Sequence, residues 1–260
     1  MSIPKVIHYI WFGAAEKNLV IQECIRTWRS ILPDYKVIEW NENNFSSENT
    51  FYNKCMSEKR YAYASDYARL EILYSEGGIY MDTDMFVSQS FNELLKFSFF
   101  AGLEREGIIG SSIIGCVPKN EYLRGLIDLY HSFDDNLSWE KYHANTVVIS
   151  DYFRKFSKDT NFQDIDDVKI FNTDYFYPYP WDAPDKEFKK YISANTHAVH
   201  LWNLSWFDPL SSFLYHLHKK DNRSGWKYFG KSVRAKPFKL LKYLPYILKV
   251  SMQNMGKTKV

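Results

Sequence analysis

Apolar and polar positions along the chain follow two periods, near 2 and near 3.6, and the switches between them mark out the elements. Residues 6–12 (VIHYIWF) form a short β-branched and aromatic run stopped by Gly13, the pattern of a buried first strand. Residues 18–29 (NLVIQECIRTWR) place Val20, Cys24 and Trp28 at helical spacing, and Pro33-Asp34 closes that segment before a second strand at 36–40. Residues 57–76 predict a long amphipathic helix with Tyr63, Tyr67, Leu70 and Tyr74 on one stripe and Gly77-Gly78 as its C-terminal stop. A strand is expected at once, over 79–87 (IYMDTDMFV), apolar except for Asp82, Thr83 and Asp84. Further strand-like runs cover 97–102, 111–117 and 198–202. Helices alternating with strands imply an α/β domain built on a mostly parallel sheet.

Composition changes this picture little. Apolar residues make up 45% and charged residues 25% of 260 positions, the balance of a globular chain with a sizeable core. Aromatic residues reach 18%, and their planar faces suit sugar rings and bases as well as cores. Cys24, Cys55 and Cys116 lack CxxC spacing, so neither a disulfide framework nor a zinc site is signalled and a reducing compartment fits. The opening MSIPKVIHYIWFG is too short and too quickly broken by Gly13 for a signal peptide, and no run of 18 apolar residues predicts a membrane span. A cytoplasmic location is therefore expected.

Charge divides the chain. After Asp221 there is no acid, while Arg223, Lys227, Lys231, Arg234, Lys236, Lys239, Lys242, Lys249, Lys257 and Lys259 supply ten positive charges. Because the whole chain is +2, residues 1–221 carry −8. The expectation is a domain at 1–221 followed by a basic amphipathic tail at 222–260. That tail is read either as a surface anchor on an anionic membrane or as a solvated basic helix packed on the body.

The candidate chemistry sits in the middle of the acidic part. In an extended chain residues two apart share a face, so Asp82 and Asp84 present two carboxylates that repel unless a cation joins them. A hard divalent ion, Mn²⁺ or Mg²⁺, resolves that repulsion and can also bind the phosphates of a nucleotide. The alternative is two acids facing solvent at a strand end. Asp66 and Arg69, three apart on the preceding helix, share a face and can reach one ligand together, or form an ordinary intrahelical ion pair. His8 reads as a hydrogen-bonded core residue, and His216 and His218 are discounted as a metal pair because FLYHLHKK looks helical.

The run SDxxRxxxLxxxGGxYxDxD, written here by Ser65-Asp66, Arg69, Leu73, Gly77-Gly78, Tyr80, Asp82 and Asp84, closely resembles the signature of glycosyltransferase family 32. That group includes bacterial capsular and lipopolysaccharide transferases, α1,4-galactosyl- and α1,4-N-acetylglucosaminyltransferases, and relatives of the clostridial glucosylating toxins. The opening IPKVIHYIWFG is similar to the family's first strand, and AVHLWN at 198–203 to its late VHxWN element, so the resemblance spans roughly residues 3–206. It implies a single GT-A-like, Rossmann-like domain and a retaining, metal-dependent transfer of a hexose or N-acetylhexosamine from a UDP-sugar to a glycan or lipid-linked glycan acceptor. The implied setting is capsule, lipopolysaccharide or exopolysaccharide synthesis, with no nucleic-acid partner. Trp11 would stack on uracil, Asp66 and Arg69 contact donor sugar and phosphate, Asp82 and Asp84 bind ribose and metal, and His200 complete the metal site. Where many members carry Thr-Gly-Pro this chain reads HANTVVIS (143–150), and Asn145 is the candidate to face the anomeric carbon, or else a cap of the following helix.

Two rivals are weighed. An aspartate-nucleophile phosphatase shares a DxD after a strand, but Phe86 stands where its Thr or Val belongs. A calcium-dependent carbohydrate-binding module built on an EF-hand-like loop needs Gly where Val87 stands.

Overall fold

The computed structural model describes residues 2–133, 145–183 and 187–203, and beyond them only positions 210, 213, 214, 217, 228–231, 233, 243–245 and 247. Two compact units divide the chain, one comprising Met1–Trp181 with Glu187–Trp202, the other Asp182–Lys186 with Asn203–Val260. In the second, Leu210, Phe213 and Leu217 cluster with Tyr228, Phe229 and Ile247. The boundary near Asp221, most of the basic tail, and His216 and His218 lie outside the described residues.

The first unit opens with β1 (Val6–Ile10), α1 (Leu19–Ile31) and β2 (Lys36–Trp40). Asn18 starts α1 by accepting the Val20 and Ile21 backbone N–H groups on its side chain, satisfying two of the donors a helix start leaves open. The buried stripe of α1 is Ile21, Cys24, Ile25, Thr27 and Trp28; Val20, expected on it, is exposed one position around the axis. A helix not read from the sequence, α2 (Thr50–Ser57), precedes α3 (Tyr61–Glu76).

Helix α3 corrects an expectation. It is not amphipathic: Ala64, Asp66, Tyr67, Ala68, Arg69, Leu70, Ile72 and Leu73 are all buried, so the helix is enclosed on most of its circumference and carries two charged residues inside. It stops at Gly77, whose φ of +64° and near approach to the Pro118 ring leave no room for a side chain.

The expected strand over 79–87 is two strands. β3 (Gly78–Met81) ends before Asp82, a turn closed by the Met85 N–H to the Asp82 carbonyl (3.1 Å) follows, and β4 (Met85–Val87) leaves in a different sheet. The chain continues through β5 (Phe99–Arg105), β6 (Ile108–Cys116), α4 (Glu121–His131), α5 (Asn145–Phe153), β7 (Val168–Phe171), α6 (Thr173–Phe176) and β8 (Ala198–His200).

Six strands pair in the order β2-β1-β3-β6-β5-β7, with β6 alone antiparallel to its neighbours, so the mostly parallel sheet expected from the sequence is present. Helices α2 to α5 pack one apolar layer on one face, around Tyr67, Leu70, Phe99, Leu126 and Phe153. A second layer, around Ile7, Trp28, Ile79, Phe100 and Phe176, fills the other. β4 and β8 form a separate two-stranded ribbon, with Met85 opposite His200. Two side chains of α1 hold its free edge: the Trp28 indole donates to the Met85 carbonyl at 2.6 Å and the Thr27 hydroxyl accepts the Val87 N–H at 3.0 Å.

Candidate active site

The turn between β3 and β4 and the end of β8 meet at one point. Asp82, Asp84 and His200 each offer a ligand atom there, all within 4.8 Å of one another. The reason differs from the extended-strand argument. The turn folds the two carboxylates together, and the Met85–His200 register, reinforced by the Leu201 N–H on the Asp84 carbonyl (3.1 Å), brings the imidazole from more than a hundred residues away.

His200 Nε2 stands 3.3 Å from both Asp84 Oδ1 and Ser112 Oγ, and its Nδ1 is buried without a partner among the described residues. Burial is the largest influence on this imidazole and lowers its pKa, but Asp84, Asp82 and Glu104 together outweigh it and hold the pKa above the ordinary value. Two carboxylates, an imidazole with an unsatisfied nitrogen and loose contacts among them are a donor set that fits a divalent cation such as Mn²⁺ or Mg²⁺.

Behind the carboxylates lies a buried ionic network. Arg69 spends its five N–H groups inside the protein. Nε donates to the Ser65 carbonyl, Nη1 to the Ser111 carbonyl (2.7 Å) with Asp82 Oδ1 at 3.4 Å, and Nη2 to Ser65 Oγ and Asp66 Oδ1 (2.9 Å). Its guanidinium lies 4.5 Å over the Tyr80 ring, and the Tyr80 hydroxyl donates to Asp82 Oδ1 at 2.7 Å. Burial acts against the Arg69 charge, but Tyr80, Asp82 and Asp66 raise its pKa further, so the cation is fixed. The Asp66–Arg69 ion pair is therefore present, and it also reaches the DxD.

Sequence reasoning passed over Ser111 and Ser112 on β6. Ser112 accepts the Asp82 N–H on its carbonyl (2.8 Å), touches His200 through its hydroxyl, and gives its own N–H to the Tyr177 hydroxyl (3.0 Å). Their signal was weak, because two serines in an apolar strand look like filler until the partner strands are known.

Asn145, the first residue of α5, is buried. Its Oδ1 accepts the Tyr130 hydroxyl at 2.9 Å, and its Nδ2 has no partner among the described residues. Tyr130 packs against Tyr67 of α3, which puts this amide on the Arg69 side. Trp11 lies just past β1, half-buried, its indole N–H on the Ala15 carbonyl (2.7 Å) and Lys17 Nζ 5.3 Å over its ring. His8 is the core residue expected: Nε2 is 2.9 Å from the Gly77 carbonyl and Nδ1 accepts the Trp40 indole N–H at 3.0 Å. All three cysteines are free and buried.

Residues 20–101 match the family model described as a glycosyltransferase sugar-binding region containing DXD motif. The chain is similar to lactosylceramide 4-alpha-galactosyltransferase of Mus musculus, 26% identical over 151 residues, which are 54% of this chain and 40% of that protein. It is similar as well to alpha-1,4-N-acetylglucosaminyltransferase of Homo sapiens, 25% identical over 187 residues, 67% of this chain and 50% of the relative. The matches thus span half or less of these relatives. Among solved structures the PaToxG glycosyltransferase shares the fold, with a TM-score of 0.51 and 22% identity over 59% of this chain and 69% of that one.

Proposed function

We propose that this chain, whose residues 20–101 match a glycosyltransferase sugar-binding region containing DXD motif, transfers a hexose or N-acetylhexosamine from a UDP-sugar to a glycan acceptor, with retention of configuration. The observation that carries this reading is the convergence of Asp82, Asp84 and His200 within 4.8 Å on a turn braced by Arg69 and Tyr80. The names of the two relatives, a galactosyl- and an N-acetylglucosaminyltransferase, support the sugar class.

Breaking the bond from the anomeric carbon to phosphate leaves negative charge on the diphosphate, so stabilising that leaving group is the main catalytic task. A divalent cation held by Asp82, Asp84 and His200 supplies Lewis-acid charge to the phosphate oxygens when bound. Arg69, fixed as a cation directly behind Asp82, adds positive potential without reorganising. Trp11 offers an aromatic face to the base. Asp66 and the Asn145 amide, whose Nδ2 has no partner among the described residues, are our candidates for orienting donor-sugar hydroxyls. Holding a metal would occupy Asp82 and Asp84 and leave neither as the acid or base of a hydrolase.

The setting we propose is capsule, lipopolysaccharide or exopolysaccharide synthesis by a cytoplasmic enzyme whose basic tail touches an anionic membrane surface. The motif resemblance and the ten uncompensated positive charges after Asp221 support it. Among the described residues no helix is long and apolar enough to cross a membrane. The deciding experiment is a nucleotide-release screen over UDP- and GDP-sugars with Mn²⁺ and Mg²⁺. Metal-dependent release of UDP supports the reading; release of phosphate from simple esters instead would replace it with a phosphatase.

A further inference from the structure

Beside the metal-site residues stands a carboxylate that the transfer chemistry described above does not use. Alternation along β5 sends Phe99, Ala101 and Leu103 into one apolar layer and Phe100 into the other. Gly102 and, across on β6, Gly110 carry no side chain, and rings occupy the space: an added Cβ would lie 2.6 Å from the Phe176 ring at Gly102 and 2.3 Å from the Tyr177 ring at Gly110. Glu104 follows in the same strand, where the β5–β6 register shifts between Leu103 and Arg105. Its charge acts on both His200 and Tyr177.

Glu104 is poorly satisfied for so enclosed an acid. Its side chain is 18% exposed, its ion pair with Arg105 is loose at 3.7 Å, and no hydrogen bond from the described residues reaches its carboxylate. Burial accordingly pushes its pKa up. A carboxylate largely removed from water without donors is costly unless a ligand brings them.

We propose that Glu104 is an acceptor-binding residue, taking hydrogen bonds from sugar hydroxyls next to the metal-site cluster. This deepens the glycosyltransferase reading and rests on it. The chemistry selects the ligand. A diphosphate would repel a second carboxylate, whereas neutral vicinal hydroxyls supply the missing donors and form charge-assisted bonds about twice as strong as neutral ones. The arrangement selects which sugar: Asp66, Arg69 and Asn145 lie on the α3 side of Asp82, while the Glu104 charge acts on His200 and Tyr177, whose rings stand edge to face with centroids 5.8 Å apart. Donor sugar and acceptor sugar thus have separate carboxylates.

The test is two-substrate kinetics of the full chain with Mn²⁺, UDP-galactose or UDP-N-acetylglucosamine as donor, and a panel of p-nitrophenyl mono- and disaccharides as acceptors. The best wild-type acceptor is carried forward. Glu104→Gln keeps the shape and removes the charge, and is expected to raise the acceptor KM at least fivefold while the donor KM stays within twofold. Glu104→Asp, which keeps the charge but retracts it, should fall between the two. Thermal melting of both variants separates recognition from packing, since a merely structural role would shift Tm and leave the KM values together. An unchanged acceptor KM in Glu104→Gln overturns the assignment, as does an equal rise in both KM values. Absence of any nucleotide-sugar turnover by the wild-type protein overturns the glycosyltransferase reading itself.

Discussion

Arg69 Nη1 lies 3.4 Å from Asp82 Oδ1, and the same carboxylate oxygen accepts the Tyr80 hydroxyl at 2.7 Å. One oxygen of Asp82 is thereby held by protein donors while Oδ2 receives none among the described residues, so the side chain is oriented before any ligand arrives. Removing an outer partner of this kind typically costs about 10–100-fold in metal affinity. Tyr80→Phe should therefore weaken Mn²⁺ binding within that range, read by calorimetry, with a small change in stability. Arg69→Met should lower stability by about 3–5 kcal/mol, read by urea unfolding, because it takes the buried cation away from the buried Asp66 and the partly exposed Asp82. Wild-type Mn²⁺ affinity in Tyr80→Phe would show that the hydroxyl does not orient Asp82.

Asp84→Asn preserves shape and removes a ligand charge. It is expected to abolish Mn²⁺-dependent UDP release, and excess chelator should do the same to the wild-type protein. Full turnover in the presence of chelator would exclude the metal role of Asp82, Asp84 and His200.

Trp11→Ala removes the half-buried indole at the end of β1. By the range measured for bases stacked on aromatic side chains, UDP binding should weaken by about 1–3 kcal/mol. Calorimetric titration with UDP checks this, and equal affinities for variant and wild type would rule out stacking.

His8 gives the molecule a pH dependence of known sign. Burial lowers its pKa to about 4, partly opposed by its hydrogen bond to Gly77 and by Glu76. The unfolded chain binds a proton at this site from pH 6.5 downward, whereas the folded one resists until about 4. Stability from this group is therefore complete above pH 6.5 and lost as pH falls, by about 3 kcal/mol in all at roughly 1.4 kcal/mol per unit. Urea unfolding between pH 7 and 4 measures it. His8→Asn should be less stable at pH 7 and show a flatter profile; parallel profiles for variant and wild type would mean that another group titrates.

Neutralising Lys236, Lys239, Lys242 and Lys249 together to Gln should reduce co-sedimentation with phosphatidylserine vesicles at low salt. Each basic residue near an anionic bilayer contributes about 1 kcal/mol. Equal sedimentation of wild type and variant would mean that the tail is not a membrane anchor.

Local signals in the sequence determined the β-α-β opening, the residues of β2, the Gly77-Gly78 stop and the proximity of Asp82 to Asp84, because each depends on neighbours within one helical turn or one strand step. The motif run likewise picked out Asp66 and Arg69, and the separate AVHLWN element at 198–203 picked out His200. Tertiary structure decided the rest. Whether the DxD was strand or turn depended on β3 pairing with β6 while β4 paired with β8, and no local pattern records that exchange of partners. That Arg69 is buried was not legible, because helical spacing pairs it with Asp66 but does not reveal that α3 is enclosed by two other helices and the sheet. Ser112, Tyr177 and Glu104 acquire meaning only from contacts across 65 or more residues or across the sheet, where side-chain chemistry is set by what folding places opposite it.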